Sequence, residues 1–482
     1  MSISRRDFVQ TSALAAGALA TVGYQKSARA ADKQSVLRVA VIGVNSRGLE
    51  HIDCYLRNKN VEITTICDTD TEVGMKKGVK RVEEKSGKAP KFVQDLREVF
   101  ADPNIDVVSI ATPNHWHSLA TIWAAQAGKA IYCEKPVSHN IAEGRRAVQA
   151  IEKYKVICQC GTQSRSHKAM QDAVAYIKSG KLGEVKLARG LCYKPRKGIG
   201  PAGTYEYPKS VDVNIWTGPA EMTELTRPKF HYDWHWQWNC GNGDSGNQGI
   251  HQMDIARWGL GVNDIAQTIV SFGKRYAWDD AGTTPNTQIE DFQFADGKRI
   301  LFETRNLESD KYHDVGIGNI FYGTEGVIAM DSNYGKAALY DKDWKKVQEF
   351  KGGGMQDHVD NFVEAVIKND SSLLNCPFVE GHLSSALCHT GNISYQLAKS
   401  ASVDDIRSAG MGDAEWNDSL DRMLTHLKGH NVDVAGNPMH LGPKLTFDSK
   451  SELFTGTQAA DANQYVARKG RGEFIIPEVA DL

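Results

Sequence analysis

The chain has 482 residues, 41% of them apolar, and its 57 basic and 59 acidic side chains leave a net charge of −2. That near-balance excludes a partner recognised by bulk charge, such as nucleic acid or an anionic membrane. The length exceeds one ordinary core and predicts two domains, with ample apolar content to fill both.

The first thirty residues predict an export leader. "SRRDFVQ" at 4–10 runs into apolar "TSALAAGALATV" and then "ARA" at 28–30, a charged start, a short apolar middle and a small-x-small exit. The middle is too short to anchor in a bilayer, so no membrane anchor is expected. Arg5-Arg6-Asp7-Phe8 resembles a twin-arginine leader, whose pathway carries folded proteins, and predicts a periplasmic or otherwise exported location. Losing the leader's four basic residues and one acidic residue takes the net charge to −5. The nine cysteines lack metal-ligand spacing, and buried thiols with no metal site are expected.

"VLRVAVIG" at 36–43 reads as a strand, and "VNSRGLEHIDCYL" after it has helical periodicity. The turn between them, Gly43-Val44-Asn45-Ser46-Arg47-Gly48, is a G-x-G-x-x-G fingerprint with asparagine at the second glycine. Asparagine tolerates left-handed backbone, so the loop can still hold a dinucleotide. The next apolar run, "VEITTICDTD", ends on Asp68, twenty residues past Gly48, where a carboxylate would grip the ribose hydroxyls and favour NAD over NADP. Asp70 is a rival for that role. Strands and helices then alternate through "DVVSIATP", "HSLATIWAAQAGK", "AIYCEKP" and "KVICQCGTQ", the spacing of a doubly wound sheet whose strand-end loops face one crevice.

In this order "GVNSRG", "CDTD", "ATPNHWH", "CEKPVSHN" and "GTQSRS" resemble the Gfo/Idh/MocA oxidoreductase family, over roughly residues 36–400. The resemblance implies an N-terminal Rossmann domain that binds NAD(P), beside an α+β domain with an open, mostly antiparallel sheet. It implies that Thr112, Pro113, Asn114 and His117 line the cofactor, that Glu134 and Lys135 lie near the nicotinamide ribose, and that Gln163 closes that side. The expected organisation is a leader at 1–30, a Rossmann domain at 31–162, a substrate and oligomerisation domain at 163–400, and a C-terminal extension at 401–482.

Oxidising a secondary alcohol requires a group that stabilises the developing alkoxide and a base for its proton. Lys135 suits the first role and could relay protons. The family's D-x-G-x-H-x-x-D pattern aligns with Asn247, Gly249, His251 and Asp254, so the first acid is replaced by an amide. On a helix Asn247 and His251 share a face; Asn247 could orient a hydroxyl, and the base role concentrates on His251. Asp254 either orients the imidazole or ties the helix to the cofactor domain.

"HYDWHWQWNCGNGDSGNQG" before it alternates aromatic and polar residues, which suits a carbohydrate or builds the second domain's core. Trp236, Asn247 and Gln248 are the substrate candidates here, and His231 with His235 lacks a third metal ligand. The loop "CYKPRKGIG" adds Tyr193, Lys194 and Arg196 as hydroxyl or carboxylate contacts, unless it is only a solvated basic loop. "AQTIVSFG", "IEDFQFADG", "RILFETRN" and "GNIFYGTEGVIAM" read as strands of the second sheet, and "MQDHVDNFVEAVIKND" and "EGHLSSALCHTGNISYQLAK" as amphipathic helices.

Three functions follow from this reading. The first is an exported NAD-dependent dehydrogenase oxidising a ring hydroxyl of a sugar or glycoside, with the cofactor tightly held. The second is a redox-neutral glycoside hydrolase or lyase acting through a transient 3-keto sugar, and the third a non-catalytic sugar- or cofactor-binding protein. A homo-oligomer joined through the second-domain sheet is expected from the resemblance.

Overall fold

The computed structural model describes residues 36–331 and 334–482; the leader lies outside the described residues. Six strands, β1 (Leu37–Ile42), β2 (Val61–Cys67), β3 (Lys91–Val93), β4 (Val107–Ile110), β5 (Ala130–Cys133) and β6 (Cys158–Cys160), form a parallel sheet ordered β3-β2-β1-β4-β5-β6. The order reverses between β1 and β4, the place where a doubly wound sheet opens a crevice at its strand C-termini. Alternate residues of β1 serve opposite faces: Ala40 and Ile42 join one apolar layer, Val39 and Val41 the other. The first layer holds α2 (Asn114–Gln126) and α3 (Ile141–Tyr154). The second holds α1 (Arg47–Leu56) and a helix from far along the chain, α5 (Met355–Lys368), whose Val359, Phe362 and Val363 pack on Tyr132 and Val39. The Rossmann domain is therefore not completed by residues 31–162 alone.

The second sheet is mixed and mostly antiparallel. Its strands are β7 (Val185–Tyr193), β8 (Thr268–Lys274), β9 (Thr287–Gln293), β10 (Arg299–Arg305), β11 (Ile317–Gly323), β12 (Gly326–Asp331), β13 (Lys336–Tyr340) and β14 (Lys346–Lys351). They run β14-β13-β12-β11-β7-β10-β9-β8, and within this run β7 and β10 are the parallel pair. One face carries Phe292, Ile300, Phe302 and Phe321 against α4 (Ile250–Leu260) and α6 (Phe378–Gln396).

The C-terminal extension is woven into this architecture. His440–Leu441 and Leu445–Asp448 pair with β8 and extend the sheet. α7 (Ala414–Gly429) lays Trp416, Leu420, Met423 and Leu427 over Val270, Phe272 and Ile289 on the sheet's outer face. Their i, i+4, i+7, i+11 spacing makes one apolar stripe, and each fully buried side chain contributes about 1.5–3 kcal/mol. Further on, Phe474 packs edge-on against Trp116 of α2 with ring centroids 5.4 Å apart, and Arg468 pairs with Glu143 of α3. No helix among the described residues is long and apolar enough to cross a membrane.

Candidate active site at the domain boundary

Gly43 ends β1 with φ +84°, a backbone that side chains rarely adopt, and an added Cβ would lie 2.7 Å from the Ala111 carbonyl oxygen. At Gly48 an added Cβ would meet the Gly43 oxygen at 2.0 Å, so the turn closes tightly enough to start α1 only with glycine there. Ser46, at the N-cap of α1, makes no side-chain capping bond. The electropositive helix end is left facing the crevice, where a pyrophosphate fits. Asn45 is held by Lys77, whose ammonium donates to its side-chain oxygen at 2.7 Å.

Asp68 accepts the Val44 N–H at 2.8 Å and the Asp70 N–H at 3.0 Å. Burial pushes its carboxyl up, and the two amides pull it back part of the way. Asp70 is otherwise engaged: it accepts from Glu72 and Val73 N–H groups and from His231 Nε2 at 2.8 Å. Of the two rivals, Asp68 is the one whose carboxylate lines the cavity.

That cavity has a volume of about 270 Å³. Its floor includes Gly43, Asn45, Ser46, Arg47, Asp68, Thr112, Pro113, Asn114, His117, Glu134 and Lys135. Thr112 Oγ1 and, in the neighbouring strand-end turn, Gln163 Oε1 are buried without a hydrogen-bond partner, polar atoms suited to a bound ligand. His117 sits between the Thr112 and Pro136 carbonyls, 2.8 and 2.5 Å away, and joins the two strand-end loops. Asn114 donates to Asn242 Oδ1 at 3.0 Å and joins the cofactor domain to the second domain. These donors and acceptors fit a dinucleotide.

The roof is a strap formed by residues 199–240, which leave the end of β7 and cross the Rossmann domain. Asp212 N donates to Thr69 O at 2.9 Å and Thr71 N to Ser210 O at 3.0 Å. Trp116 Nε1 donates to the carbonyls of Ile215 and Trp216 at 2.9 and 3.0 Å. Trp216, His231, Tyr232, Trp234 and His235 then line the cavity opposite the glycine turn. The aromatic run read from sequence as a sugar platform or a core thus roofs the cofactor cavity. Trp236 turns away into a small cluster with Ile199 and Ala281, under the Arg196 guanidinium.

At the mouth stand Glu134 and Lys135. Glu134 is buried, 3.0 Å from His51 Nε2 and 3.6 Å from Arg47 Nε, and Ser109 Oγ lies 2.9 Å from His51 Nδ1. Burial alone would raise the Glu134 carboxyl; the Arg47 guanidinium and His51 hold it well below the usual carboxylate range. His51 was missed in the sequence, although it follows Arg47 by four residues and so shares its helical face. Lys135 donates to the Asn247 carbonyl oxygen at 2.6 Å. Burial lowers its ammonium to about 8, Glu134 opposing and Arg47, Lys194 and Arg196 assisting.

The second-domain half begins not as an α-helix but as a wider π-type turn, Ser245–Gly249, that passes into α4. His251 is 4% exposed, its Nδ1 has no partner, and its ring lies 5.6 Å from that of Tyr334. Burial first, then the charges of Lys135 and Arg47, hold its imidazole well below the ordinary range and therefore neutral. Asp254 does not orient it. Arg165 grips both Asp254 oxygens at 2.9 Å, which ties α4 to the segment after β6. Gln248 donates to the Tyr334 hydroxyl at 2.8 Å and accepts from Lys194 at 3.2 Å.

Besides Trp236, whose ring is turned away from the cavity, two sequence expectations need correction. Tyr193 faces the outer side of the sheet, where its hydroxyl donates to Glu303 at 2.6 Å and accepts from Arg422 of α7 at 2.8 Å. Strand alternation causes this: Cys192 points inward, so Tyr193 points out. Arg196 is committed to the buried Asp244, its Nε 3.0 Å and Nη2 2.6 Å from the carboxylate oxygens, and is not a free hydroxyl ligand.

A sequence model described as "Oxidoreductase family, NAD-binding Rossmann fold" (GFO_IDH_MocA) matches residues 37–162. Its companion, "Oxidoreductase family, C-terminal alpha/beta domain", matches residues 197–428. The chain belongs to the Gfo/Idh/MocA family. Among relatives, the levoglucosan dehydrogenase of Pseudarthrobacter phenanthrenivorans is 29% identical over 178 residues, 37% of this chain and 38% of that protein. A glycosyl hydrolase family 109 protein of Shewanella baltica is 28% identical over 178 residues, 33% of this chain and 39% of that protein. The alignment thus spans about two fifths of each of these Gfo/Idh/MocA relatives. The solved structure of levoglucosan dehydrogenase with NADH and levoglucosan superposes with a TM-score of 0.57 at 20% identity, covering 73% of this chain and 95% of that one, a likeness of fold.

Proposed function

We propose that this Gfo/Idh/MocA protein is an NAD-dependent oxidoreductase that oxidises a ring hydroxyl of a sugar or glycoside to a ketone. The observation that carries the reading is the Lys135–Asn247 contact at 2.6 Å, which joins the lysine lining the cofactor cavity to the turn that leads into His251. NAD, when bound, accepts the hydride from the carbinol carbon. The glycine turn, the α1 N-terminus and Asp68 would hold its pyrophosphate and ribose, and the unpartnered Thr112 Oγ1 and Gln163 Oε1 would be free to hydrogen-bond to it.

The site's electrostatics divide the proton work differently from the sequence reading. His251 is held neutral and is a weak base, so it serves chiefly to hydrogen-bond and orient the substrate hydroxyl. Lys135 Nζ, lowered to about 8, is matched to accept the hydroxyl proton near neutral pH, and its cationic form steadies the alkoxide. Asn247, whose carbonyl holds that ammonium, positions it.

The strap supports tight retention of the cofactor, since its aromatic side chains line the cavity on the side opposite the glycine turn. The twin-arginine-type leader, outside the described residues, supports export of the folded protein to the periplasm. Self-association remains part of the proposal, with β11–β14 as the surface, because α7 of the same chain already covers β8 and β9. A second reading, redox-neutral glycoside cleavage through a 3-keto sugar, draws on the family 109 similarity; it shares the oxidation step and adds a proton abstraction beside the new ketone. A binding-only protein is disfavoured by the presence of both Lys135 and His251.

Incubating purified protein with a panel of glycosides and excess NAD, and weighing the products, separates these. A loss of two mass units is expected. Released aglycone supports cleavage instead, and no turnover of any glycoside overturns both. His251→Ala and Lys135→Ala should abolish turnover and keep bound NAD.

A further inference from the structure

We propose that the substrate is an acidic sugar, a glycoside bearing a carboxylate, and that Lys194 is the residue that recognises it. The inference rests on the oxidoreductase reading and narrows its substrate class.

Lys135 lies within the field of three other cations, Arg47, Lys194 and Arg196, and the structure sorts the four. Arg47 faces Glu134 and Glu50, and Arg196 is bound through both its Nε and Nη2 to Asp244. Lys135 and Lys194 differ: their ammonium groups touch only neutral oxygens, the Asn247 carbonyl at 2.6 Å and the Gln248 side-chain oxygen at 3.2 Å. Among the described residues neither ammonium has a carboxylate oxygen within 4.0 Å. A half-buried ammonium facing only amide oxygens lacks the counter-charge that would offset its desolvation, and a ligand anion supplies it. The charge of Lys135 is engaged at the reacting hydroxyl, so the unanswered one is Lys194.

Its neighbours in the same loop cannot take the role. Tyr193 lies on the outer face of the sheet, and the guanidinium fork of Arg196 is already filled. Lys194 is also well placed. Its backbone is fixed by N donating to Arg305 O at 3.0 Å and O accepting from Asn306 at 3.3 Å. Gln248, which holds its ammonium, is pinned by Tyr334 and adjoins Asn247, which holds Lys135. Two lysines anchored to successive residues of one turn suit a single sugar ring, carboxylate at one side and reacting hydroxyl at the other.

A carboxylate fits better than a phosphate. A carboxylate's single charge is answered by the one unpaired ammonium, whereas a phosphate monoester carries nearly two. An anion beside Lys194 would also offset part of the positive field around His251.

The test compares methyl glucuronide, methyl glucoside and methyl glucoside 6-phosphate, with their galacto and manno counterparts, on the protein in excess NAD. It reads kcat/KM for oxidation and, separately, calorimetric binding. One charge-assisted hydrogen bond predicts that the uronide is favoured over its neutral partner by about 10- to 100-fold. That ratio should shrink with added salt, collapse towards one in Lys194→Met, survive in part in Lys194→Arg, and hold in the same-loop control Lys197→Met. Equal use of neutral and acidic sugars, preference for the phosphate, or an unchanged ratio in Lys194→Met overturns the assignment. Uronide binding that depends on Lys194 without oxidation of any sugar would sink the oxidoreductase reading and leave this one standing. Oxidation of sugars with no acidic preference would do the reverse.

Discussion

The ammonium of Lys135, on the loop after β5, lies 2.6 Å from the carbonyl oxygen of Asn247, on the turn that leads into α4. This one bond spans the two domains and sets the distance between the cofactor mouth and the second-domain histidine. A neutral amine there accepts a proton and a cationic one returns it. Because burial lowers the ammonium to about 8, oxidation should rise with pH and level off above about 8, while ketone reduction falls over the same range. Lys135→Met should remove both limbs and cost about 10³-fold in kcat, within the range for a lost acid-base group. A pH–rate profile in each direction checks this; parallel limbs would contradict it.

Gly48→Ala places a methyl group 2.0 Å from the Gly43 oxygen, so the turn must open. Bound NAD, measured by absorbance after denaturing the purified protein, should fall to a small fraction of the parent's. Circular dichroism should remain that of a folded chain.

His231 anchors the strap to Asp70 at 2.8 Å. His231→Ala removes a hydrogen bond to a charged acceptor, a contribution of about 1.5–3 kcal/mol, and should speed release of the cofactor about tenfold or more. Displacement of bound NADH followed by fluorescence measures it. An unchanged release rate would mean that the strap does not gate the cavity.

Asp254 accepts both Arg165 nitrogens in a fully buried setting. Asp254→Asn leaves the Arg165 guanidinium with Glu380 as its remaining carboxylate partner and should destabilise the fold by about 1.5–3 kcal/mol. Urea unfolding reads this directly.

Glu290 is buried beneath the π-type turn, with Ser245 Oγ 3.1 Å from Oε1 and no partner for Oε2. Burial pushes its carboxyl to about 8, Ser245 opposing. The unfolded chain ionises it near its ordinary value and the folded chain keeps the proton, so its contribution to stability is full below about 4.5 and is lost as pH rises to about 8. Glu290→Gln should remove that slope and raise stability at pH 8 by about 2 kcal/mol or more. Thermal melts from pH 4.5 to 8 test the sign.

Much of this was legible in the sequence because it is local. The strand, glycine turn and helix from Leu37 to Leu56 depend on alternation and on φ at Gly43, properties of a few successive residues. The second sheet followed from short strand-like runs separated by turn signals, such as Arg299–Arg305. What escaped were partnerships between distant segments. Trp216 and Trp234 carry no local mark that separates a cofactor roof from a core or a sugar platform; only the docking of the strap on Thr69, Thr71 and Trp116 decides it. Tyr193 was misread by one position of strand alternation, which no loop motif reveals. The capture of Arg196 depends on Asp244, 48 residues away.

The return of α5 to the parallel sheet bears on how this protein is made. A ribosome that has released residues 36–162 has produced every strand of the first domain, yet Val39, Val41 and Tyr132 still lack the Val359, Phe362 and Val363 that cover them. That face stays open to water until Lys368 has emerged, and the neighbouring layer waits longer, for Phe474. The first domain therefore matures late in synthesis, well after its own strands have been made. Isolated residues 36–162 should aggregate rather than bind a dinucleotide. A pathway that exports only finished cargo would suit a chain whose first domain is completed last.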